Sequence, residues 1–313
     1  MDTLFKIYYE VRFLSIGDFV VRKSHDCDIT FKIIDIREGA NGTYCILKGV
    51  NLRIIADSPV DDLMTVDSDN MCEIESVFNE NINKCIEKIV MDRGIDKEEN
   101  IKKNKRKSGH RIIKTDKDNN NVKNMTFARP GKVLHVDGDS EYLEVCLKVY
   151  KQLKINAVGK VIAEKEQPNL IVPLVKEVKP DIVVITGHDG MLKTSRDYMD
   201  IEGYRNSKYF VEAVTKLRDY EPSYDDLVIF AGACQSCYEA ILDSGANYAS
   251  SPGRVLIHCL DPVFICEKVA YTNVGEIVNI QDVVKNTVTG FKGIGGLQTR
   301  GKCREGYPKS SYI

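Results

Sequence analysis

The spacing of hydrophobic positions divides the chain into three stretches. In residues 15–66, short runs rich in β-branched and aromatic residues alternate with polar turns, most of which contain glycine. Runs of this length and spacing are typical of a small antiparallel barrel. The predicted strands are Phe19–Arg22, Ile29–Ile36, Tyr44–Leu47 and Arg53–Ala56. We therefore assign residues 1–66 to a compact all-β domain.

The second stretch, residues 67–130, begins with a helical pattern and continues as a polar linker. From Asp67 to about Met91, apolar residues recur at helical spacing. A basic run over residues 101–111 and an asparagine-rich run over residues 118–122 follow, and such sequences bury too little apolar surface to order themselves. Because no aromatic residue is interleaved with these charges, the run predicts a solvated, protease-sensitive tether, and no nucleic-acid partner is expected.

In the third stretch, residues 131–313, hydrophobic runs alternate with amphipathic segments. This order predicts an α/β domain with a mostly parallel sheet and helices on both faces. Strands are predicted at 132–138, at 157–162, before His188, before Cys234 and at 254–260. Helices are predicted at 140–153, behind a Ser140 cap, and at 170–178, 209–218, 235–244 and 283–291.

Composition and charge narrow the function only slightly. A net charge of -2 and a mean hydropathy of -0.25 describe an ordinary globular protein without a general attraction to nucleic acids or membranes. The sequence has no basic leader and no run of about eighteen apolar residues that would span a membrane, so we expect a cytoplasmic protein. Its 10 cysteines are scattered, which is typical of buried thiols in a reducing compartment.

The candidate chemistry lies at two strand ends. The hydrophobic run that begins at residue 181 leads to His188, and the run that begins at residue 227 leads to Cys234. Because parallel strands present functional groups beyond their carboxyl ends, neighbouring strands would bring these two residues together. A thiol at a helix start beside a histidine is a good nucleophile, and the histidine can carry its proton. Backbone N–H groups at Gly187 or Gly190, and near Cys234, could stabilise an oxyanion.

The same residues match a known group of peptidases. A strand closing with His-x-Gly, followed by a strand closing with Ala-Cys, resembles the caspase-like cysteine peptidases, which include clostripain, gingipains, legumain and separase. Gly232 is a departure from the wider group, which often has glutamine at this place. The resemblance is closer still to the YabG family of sporulation-specific peptidases, and it covers nearly the whole chain. The matching stretches are Ile185–Gly190, Tyr204–Phe210, Phe230–Ser236, Ala249–Arg254 and His258–Val263.

This resemblance implies a cysteine endopeptidase with a dyad of His188 and Cys234. It also implies cleavage after arginine or lysine in spore coat and cortex proteins, in the mother cell of a sporulating bacterium or at the spore coat, with self-processing. Protein substrates are the expected partners, and no cofactor or metal is expected. Recognition of arginine needs a carboxylate. The candidates are Asp261, at the end of the predicted strand 254–260, and Asp189, beside the base.

Two other functions use the same residues. Cys234 and Cys237 form a C-x-x-C at a strand-to-helix turn, as in thiol redox proteins, and His258 with Cys259 could complete a zinc site. The surrounding strand order is not thioredoxin-like, and a second ligand pair with clean zinc spacing is missing. The simplest alternative is a buried histidine and a buried cysteine that never meet.

Features outside the dyad support the domain assignment without adding chemistry. The stretch Ile16–Arg22 resembles the first strand of SH3-like barrels of the Tudor or KOW kind, which predicts either a docking module or a stable support for the peptidase domain. His25 lies in a predicted turn and is expected to be structural. His135, inside a strand, is expected in the core or behind the site. The glycines at 290–296 follow a helix and do not predict a phosphate-binding loop.

Overall fold

The computed structural model describes residues 14–39, 42–66, 82–91, 93 and 126–310. Contacts group the chain into two units, one of Met1–Asn51 with Ile55–Val77 and the other of Leu52–Ile54 with Phe78–Ile313. The three residues Leu52–Ile54 therefore belong to the second unit, although the chain on either side of them belongs to the first. Most of the predicted basic tether lies outside the described residues.

The first unit contains a five-stranded antiparallel sheet with strand order β4-β3-β2-β1-β5. Its strands are β1 (Phe19–Arg22), β2 (Phe31–Gly39), β3 (Gly42–Gly49), β4 (Ile55–Pro59) and β5 (Leu63–Thr65). The antiparallel strands predicted for this stretch are confirmed, whereas closure into an SH3-like barrel stays a prediction. Strand β4 begins two residues later than predicted and leaves Arg53 out, and β5 was not predicted.

The second unit is built on a parallel-rich sheet. The strands of this unit are β6 (Phe127–Arg129), β7 (Val133–Asp137), β8 (Ala157–Val161), β9 (Ile182–Thr186), β10 (Val228–Ala231), β11 (Tyr248–Ser250), β12 (Ile277–Val278), β13 (Ile294–Gly296), β14 (Thr299–Arg300) and β15 (Arg304–Gly306). Six of them form a sheet of order β13-β11-β10-β9-β7-β8, in which only β13 is antiparallel to its neighbour. The predicted mixed α/β architecture is thus confirmed, and the caspase-like fold stays a prediction.

Helices cover both faces of the six-stranded sheet. They are α1 (residues 82–91), α2 (Ser140–Gln152), α3 (Gln167–Val178), α4 (Ser207–Tyr220), α5 (Tyr238–Asp243), α6 (Asp261–Tyr271) and α7 (Ile280–Lys285). Val184 and Phe230 point to the face covered by α2 and α6, while Val183 and Ile229 point to the face covered by α3 and α4. Burial on both faces explains why these strands read as uninterrupted hydrophobic runs. Within the described ranges, no helix is long and apolar enough to cross a bilayer.

The chain after Cys234 differs from the prediction. Residues 254–260 do not form a strand, and β11 pairs with β10 instead. Helix α5 begins at Tyr238 rather than Gln235. Helix α7 begins at Ile280 and ends at Lys285, so it overlaps only the start of the predicted helix 283–291. Helix α6 was missed because it is buried on nearly all sides and therefore has no amphipathic period.

Candidate active site

His188 and Cys234 occupy corresponding positions on adjacent parallel strands. In the register of β9 and β10, Ile185 pairs with Ala231, and each candidate lies three residues beyond its member of that pair. The Gly232 N–H donates to the Ile185 carbonyl at 3.0 Å, which continues the strand pairing past β10. The structure therefore carries both predicted catalytic residues beyond the same edge of the sheet.

The turn that carries Cys234 has an unusual backbone. Gly232 has φ 110° and Gln235 has φ 54°, so a non-glycine residue directly after the cysteine lies in the left-handed region. Local hydrogen bonds hold this turn, since the Ala233 N–H donates to Ser236 Oγ at 2.9 Å and the Gln235 N–H donates to Ser251 Oγ at 3.1 Å. Backbone strain of this kind persists where the surroundings fix it, and it clusters at functional sites.

The Cys234 thiol is enclosed by the protein. The side chain is 1% exposed, and its Sγ accepts the Ile257 N–H at 3.2 Å. Burial raises the pKa of this thiol to about 12, although the Ile257 N–H and the charge of Arg53 act in the opposite sense. Because α5 begins only at Tyr238, the predicted help from a helix N-terminus at Cys234 is absent. In this conformation the thiol is neutral.

His188 is oriented by a carboxylate that the sequence analysis missed. Its Nε2 lies 2.9 Å from Oδ2 of Asp139, while Oδ1 of the same carboxylate caps α2 through the N–H groups of Glu141 and Tyr142. Asp139, and not the predicted Ser140, is the cap. Among the described residues, the buried Nδ1 of His188 has no hydrogen-bond partner. A proton on Nε2, donated to Asp139, leaves Nδ1 as the nitrogen that can accept a proton.

The loop around His188 is fixed through its main chain. The His188 N–H donates to Glu164 Oε1 at 2.7 Å, and the Asn206 side chain donates to the His188 carbonyl at 2.8 Å. A Cβ on Gly187 would meet the Glu164 carboxylate, which would have to shift from its place beside the His188 N–H. The ring of Tyr142 lies 5.6 Å from the imidazole, centroid to centroid.

Asp189 connects the His188 loop to the Cys234 turn. Its carboxylate accepts hydrogen bonds from Ser207 Oγ at 2.5 Å, from Ser236 Oγ at 2.8 Å and from the Asn206 N–H at 2.8 Å. It also accepts the Gly190 N–H at 2.9 Å, so that this N–H is directed at Asp189. This geometry gives no support to the predicted roles of Asp189 in substrate binding and of Gly190 in an oxyanion hole. Asp189 positions the two loops.

Asp261, the preferred substrate carboxylate, lies elsewhere than predicted. It is the first residue of α6 rather than the end of a strand, and it is fully buried. Its oxygens accept hydrogen bonds from Thr289 Oγ1 at 2.5 Å and from the N–H groups of Val288, Thr289 and His258 at 2.7, 3.3 and 3.1 Å. With four donors from the chain itself, Asp261 anchors the start of α6 to the loop before β13.

A buried ion pair not anticipated from the sequence lies at the end of β7. Nη1 of Arg53 is 2.5 Å from Oδ2 of Asp137, and both side chains are fully buried. Thr186 Oγ1 donates to the same carboxylate oxygen at 2.9 Å, and His135 Nε2 lies 2.9 Å from that hydroxyl. The Arg53 charge keeps the pKa of Asp137 well below its usual range, although burial acts against this. His135 therefore lies behind the site, as predicted.

The two cysteines of the C-x-x-C differ in their contacts. Cys234 and Cys237 are free thiols, and Cys237 Sγ lies 3.8 Å from the Tyr198 carbonyl rather than in a disulfide. In the part of the chain that the structure describes, no group of three or more His, Cys, Asp or Glu side chains could hold a metal ion.

An open groove of about 490 Å³ lies directly beside the Cys234 turn, lined by Gln235, Tyr198 and Arg254 among others.

Comparison with known proteins identifies the family. Residues 15–308 match the family described as YabG peptidase U57. The chain is 40% identical over 297 residues to the sporulation-specific protease YabG of Bacillus subtilis (strain 168). The aligned region covers 95% of this chain and 98% of that protein. No solved structure matches. A match over nearly the full length of both chains shows that this protein belongs to the YabG peptidase family.

Proposed function

We propose that this peptidase is a cysteine endopeptidase in which Cys234 is the nucleophile and His188 the base. The observation that carries the proposal is the placement of both residues three positions beyond one register pair of adjacent strands. The hydrogen bond from His188 Nε2 to Asp139 adds support, because it leaves Nδ1 as the proton acceptor. A base held by a carboxylate is the usual arrangement for activating a side-chain nucleophile.

The reaction proceeds through a thioester. The Cys234 thiol gives its proton to Nδ1 of His188, and the thiolate attacks the carbonyl carbon of the scissile bond. As the C–N bond breaks, His188 returns the proton to the leaving amine, and the acyl group stays on Cys234. A water molecule then loses a proton to His188 and adds to the acyl carbon. The C–S bond breaks, and the proton returns to the sulfur.

The substrates are proteins of the spore coat and cortex, cut after arginine or lysine during sporulation, and the enzyme also processes itself. A role in sporulation is supported by the name of the B. subtilis relative, a sporulation-specific protease. Cleavage after basic residues rests on the resemblance to the YabG family, and the thiol mechanism rests on the same resemblance, on that to caspase-like peptidases and on the geometry of the proposed dyad.

The test is proteolysis of an arginine-containing peptide by matched variants. Cys234→Ala and His188→Ala should each lower kcat/KM by about a thousandfold or more, and the double variant should lose little beyond either one, because the two residues act as a unit. Cys237→Ala is the control and should stay active. Activity in Cys234→Ala would overturn the dyad, and insulin reduction that needs both cysteines would support the redox function instead.

A further inference from the structure

The segment Leu52–Ile54 runs beside the proposed nucleophile. Leu52 forms an antiparallel bridge with His258, and the Arg53 N–H makes a long hydrogen bond of 3.5 Å to the Ile257 carbonyl. Ile257 is the residue whose own N–H donates to Cys234 Sγ. The Arg53 N–H is itself close enough to that sulfur to lower the pKa of the thiol. An extended piece of the chain thus lies along the cleft at Cys234.

The Arg53 side chain fills a pocket that matches a guanidinium group. It is fully buried and pairs with Asp137 at 2.5 Å. Its Nη2 also donates to the Cys259 carbonyl at 3.3 Å, and the guanidinium carbon lies 5.2 Å from the centre of the Tyr142 ring. Removing an ion pair from water costs several kcal/mol per ion, and an apolar pair could stabilise the fold as well. The pairing is therefore better explained by selective recognition of arginine than by stability.

This pocket opens next to the proposed base. In the register of β7 and β9, Asp137 pairs with Thr186, which lies two residues before His188. Tyr142 lies between the proposed base and the pocket, since its ring centre is 5.6 Å from the His188 ring centre and 5.2 Å from the guanidinium carbon of Arg53. Its hydroxyl donates to the Leu52 carbonyl at 2.8 Å. The side chain of Tyr142 thus borders both the pocket and the proposed dyad.

Three properties of a bound substrate are combined in this segment. Its main chain pairs in the antiparallel sense with the wall of the cleft, as peptides do when they bind as an added strand. Its arginine occupies a pocket ended by a carboxylate, and its backbone lies beside the nucleophile. We propose that the pocket ended by Asp137 binds the arginine of a substrate, and that Leu52–Ile54 occupies it as an internal competing ligand. This inference rests on the proposed peptidase function and names its specificity residue.

Occupation by the chain itself accounts for the closed state of the site. Cys234 is 1% exposed, and the N–H of Arg53 in this segment lies close to its sulfur. An internal ligand competes at an effective concentration of about millimolar, so weakly bound substrates are excluded. The intact chain is then latent while Leu52–Ile54 stays bound, and each departure of the segment frees both the arginine pocket and the thiol.

Peptide binding tests the proposal without requiring catalysis. The full-length Cys234→Ala protein is compared with Cys234→Ala/Arg53→Ala and Cys234→Ala/Arg53→Lys, by fluorescence anisotropy of a labelled arginine peptide and of its citrulline analogue. The Arg53→Ala change should tighten binding of the arginine peptide by about tenfold or more, since the competitor is removed. Binding of the uncharged citrulline peptide should change little. Exposed Arg37 is the matched control, and Arg37→Ala should leave both affinities unchanged.

The role of the Asp137 carboxylate is tested in the same peptide-binding assay. Adding Asp137→Asn to Cys234→Ala/Arg53→Ala should abolish the preference for arginine over citrulline. If Arg53→Ala destabilises the fold, the arginine peptide should raise its Tm, and Arg53→Lys supplies a variant that keeps the charge. A purely structural ion pair predicts unchanged peptide affinity in both folded Arg53 variants, and that result overturns the proposal. Because the readout is binding, it stands apart from the outcome of the proteolysis test.

Discussion

Nε2 of His188 lies 2.9 Å from Oδ2 of Asp139, a residue whose second carboxylate oxygen caps helix α2. One carboxylate therefore performs two tasks, since it starts a helix and orients the proposed base. Helix α2 is packed onto the sheet through buried residues such as Cys146 and Val149. The orientation of the imidazole is thus set by the fold before a substrate arrives.

The two tasks of Asp139 can be separated by substitution. Asparagine caps helices as well as aspartate does, so Asp139→Asn should change the free energy of unfolding by less than about 1 kcal/mol. It cannot stabilise a protonated imidazole in the same way, and kcat should fall by roughly a hundredfold or more. Steady-state kinetics and urea unfolding measure both effects. Asp139→Ala should lose the cap as well, and full activity in Asp139→Asn would show that the contact with His188 is incidental.

Buried His258 makes stability depend on pH. Burial lowers the pKa of this imidazole from 6.5 to about 4. Between these two values the unfolded chain binds a proton that the folded chain does not, so stability should decrease as pH falls through this window. The loss should reach about 3 kcal/mol at most. His135, whose pKa burial also lowers, acts in the same direction.

The variant His258→Asn tests this dependence. Asparagine offers an oxygen to the Leu260 N–H, which donates to His258 Nδ1 at 3.1 Å in the wild type, but it does not titrate. Urea unfolding measured from pH 7 to pH 4 should therefore show a smaller acid-induced loss in the variant. Equal slopes in the two proteins would show that His258 does not carry the effect.

Asp261 should act on stability rather than on specificity. Its carboxylate holds the start of α6 through four hydrogen bonds. Asp261→Asn replaces two acceptors by one and should cost about 1.5–3 kcal/mol of unfolding free energy. The ratio of kcat/KM for arginine and citrulline peptides should stay as in the wild type. A collapse of that ratio with unchanged stability would restore Asp261 as the residue that binds the substrate arginine.

Self-processing is expected in the stretch between the two units. An enzyme joined to arginines in its own linker meets them at an effective concentration of about millimolar. The predicted cleavage sites are Arg93, Arg106, Arg111 and Arg129. Arg93 is held by Glu267 at 2.7 Å and stacked on Tyr271, and Arg129 lies in β6, whereas Arg106 and Arg111 lie outside the described residues. N-terminal sequencing of the larger fragment should give a start within residues 94–130, and Cys234→Ala should stay whole. Cleavage that persists in Cys234→Ala would contradict self-processing.

The strands that carry the proposed dyad could be predicted from the sequence because their signal is local. Runs such as Val228–Ala231 are buried on both faces, so every position is apolar, and the small residues after them mark where the chain leaves the sheet. Asp139 could also have been found, since an acidic residue directly before a predicted helix is a strong cap candidate.

The missed features depend on contacts between distant residues. Arg53 was placed in a strand of the first unit because Arg53–Ala56 has the composition of one, but its partners lie at Asp137 and Ile257. Residues 254–260 contain enough apolar side chains for a strand, yet β11 pairs with β10 and the later segment forms a loop instead. No local pattern reports which of two apolar runs joins a sheet.

The proposed internal ligand lies on the connection between β3 and β4, so the latency proposed for the intact chain would depend on whether this segment is still covalently joined to the enzyme. While the chain is whole, Arg53 stays near its pocket however little protein the cell contains. A cut in the linker turns the amino-terminal piece into a separate molecule, whose hold on the pocket then depends on its concentration in the surrounding volume. Where the local concentration of the fragment stays high, the fragment would rebind and keep the peptidase inactive. Diffusion of the fragment away from the enzyme, rather than the cut itself, would set the time at which cleavage of other proteins begins.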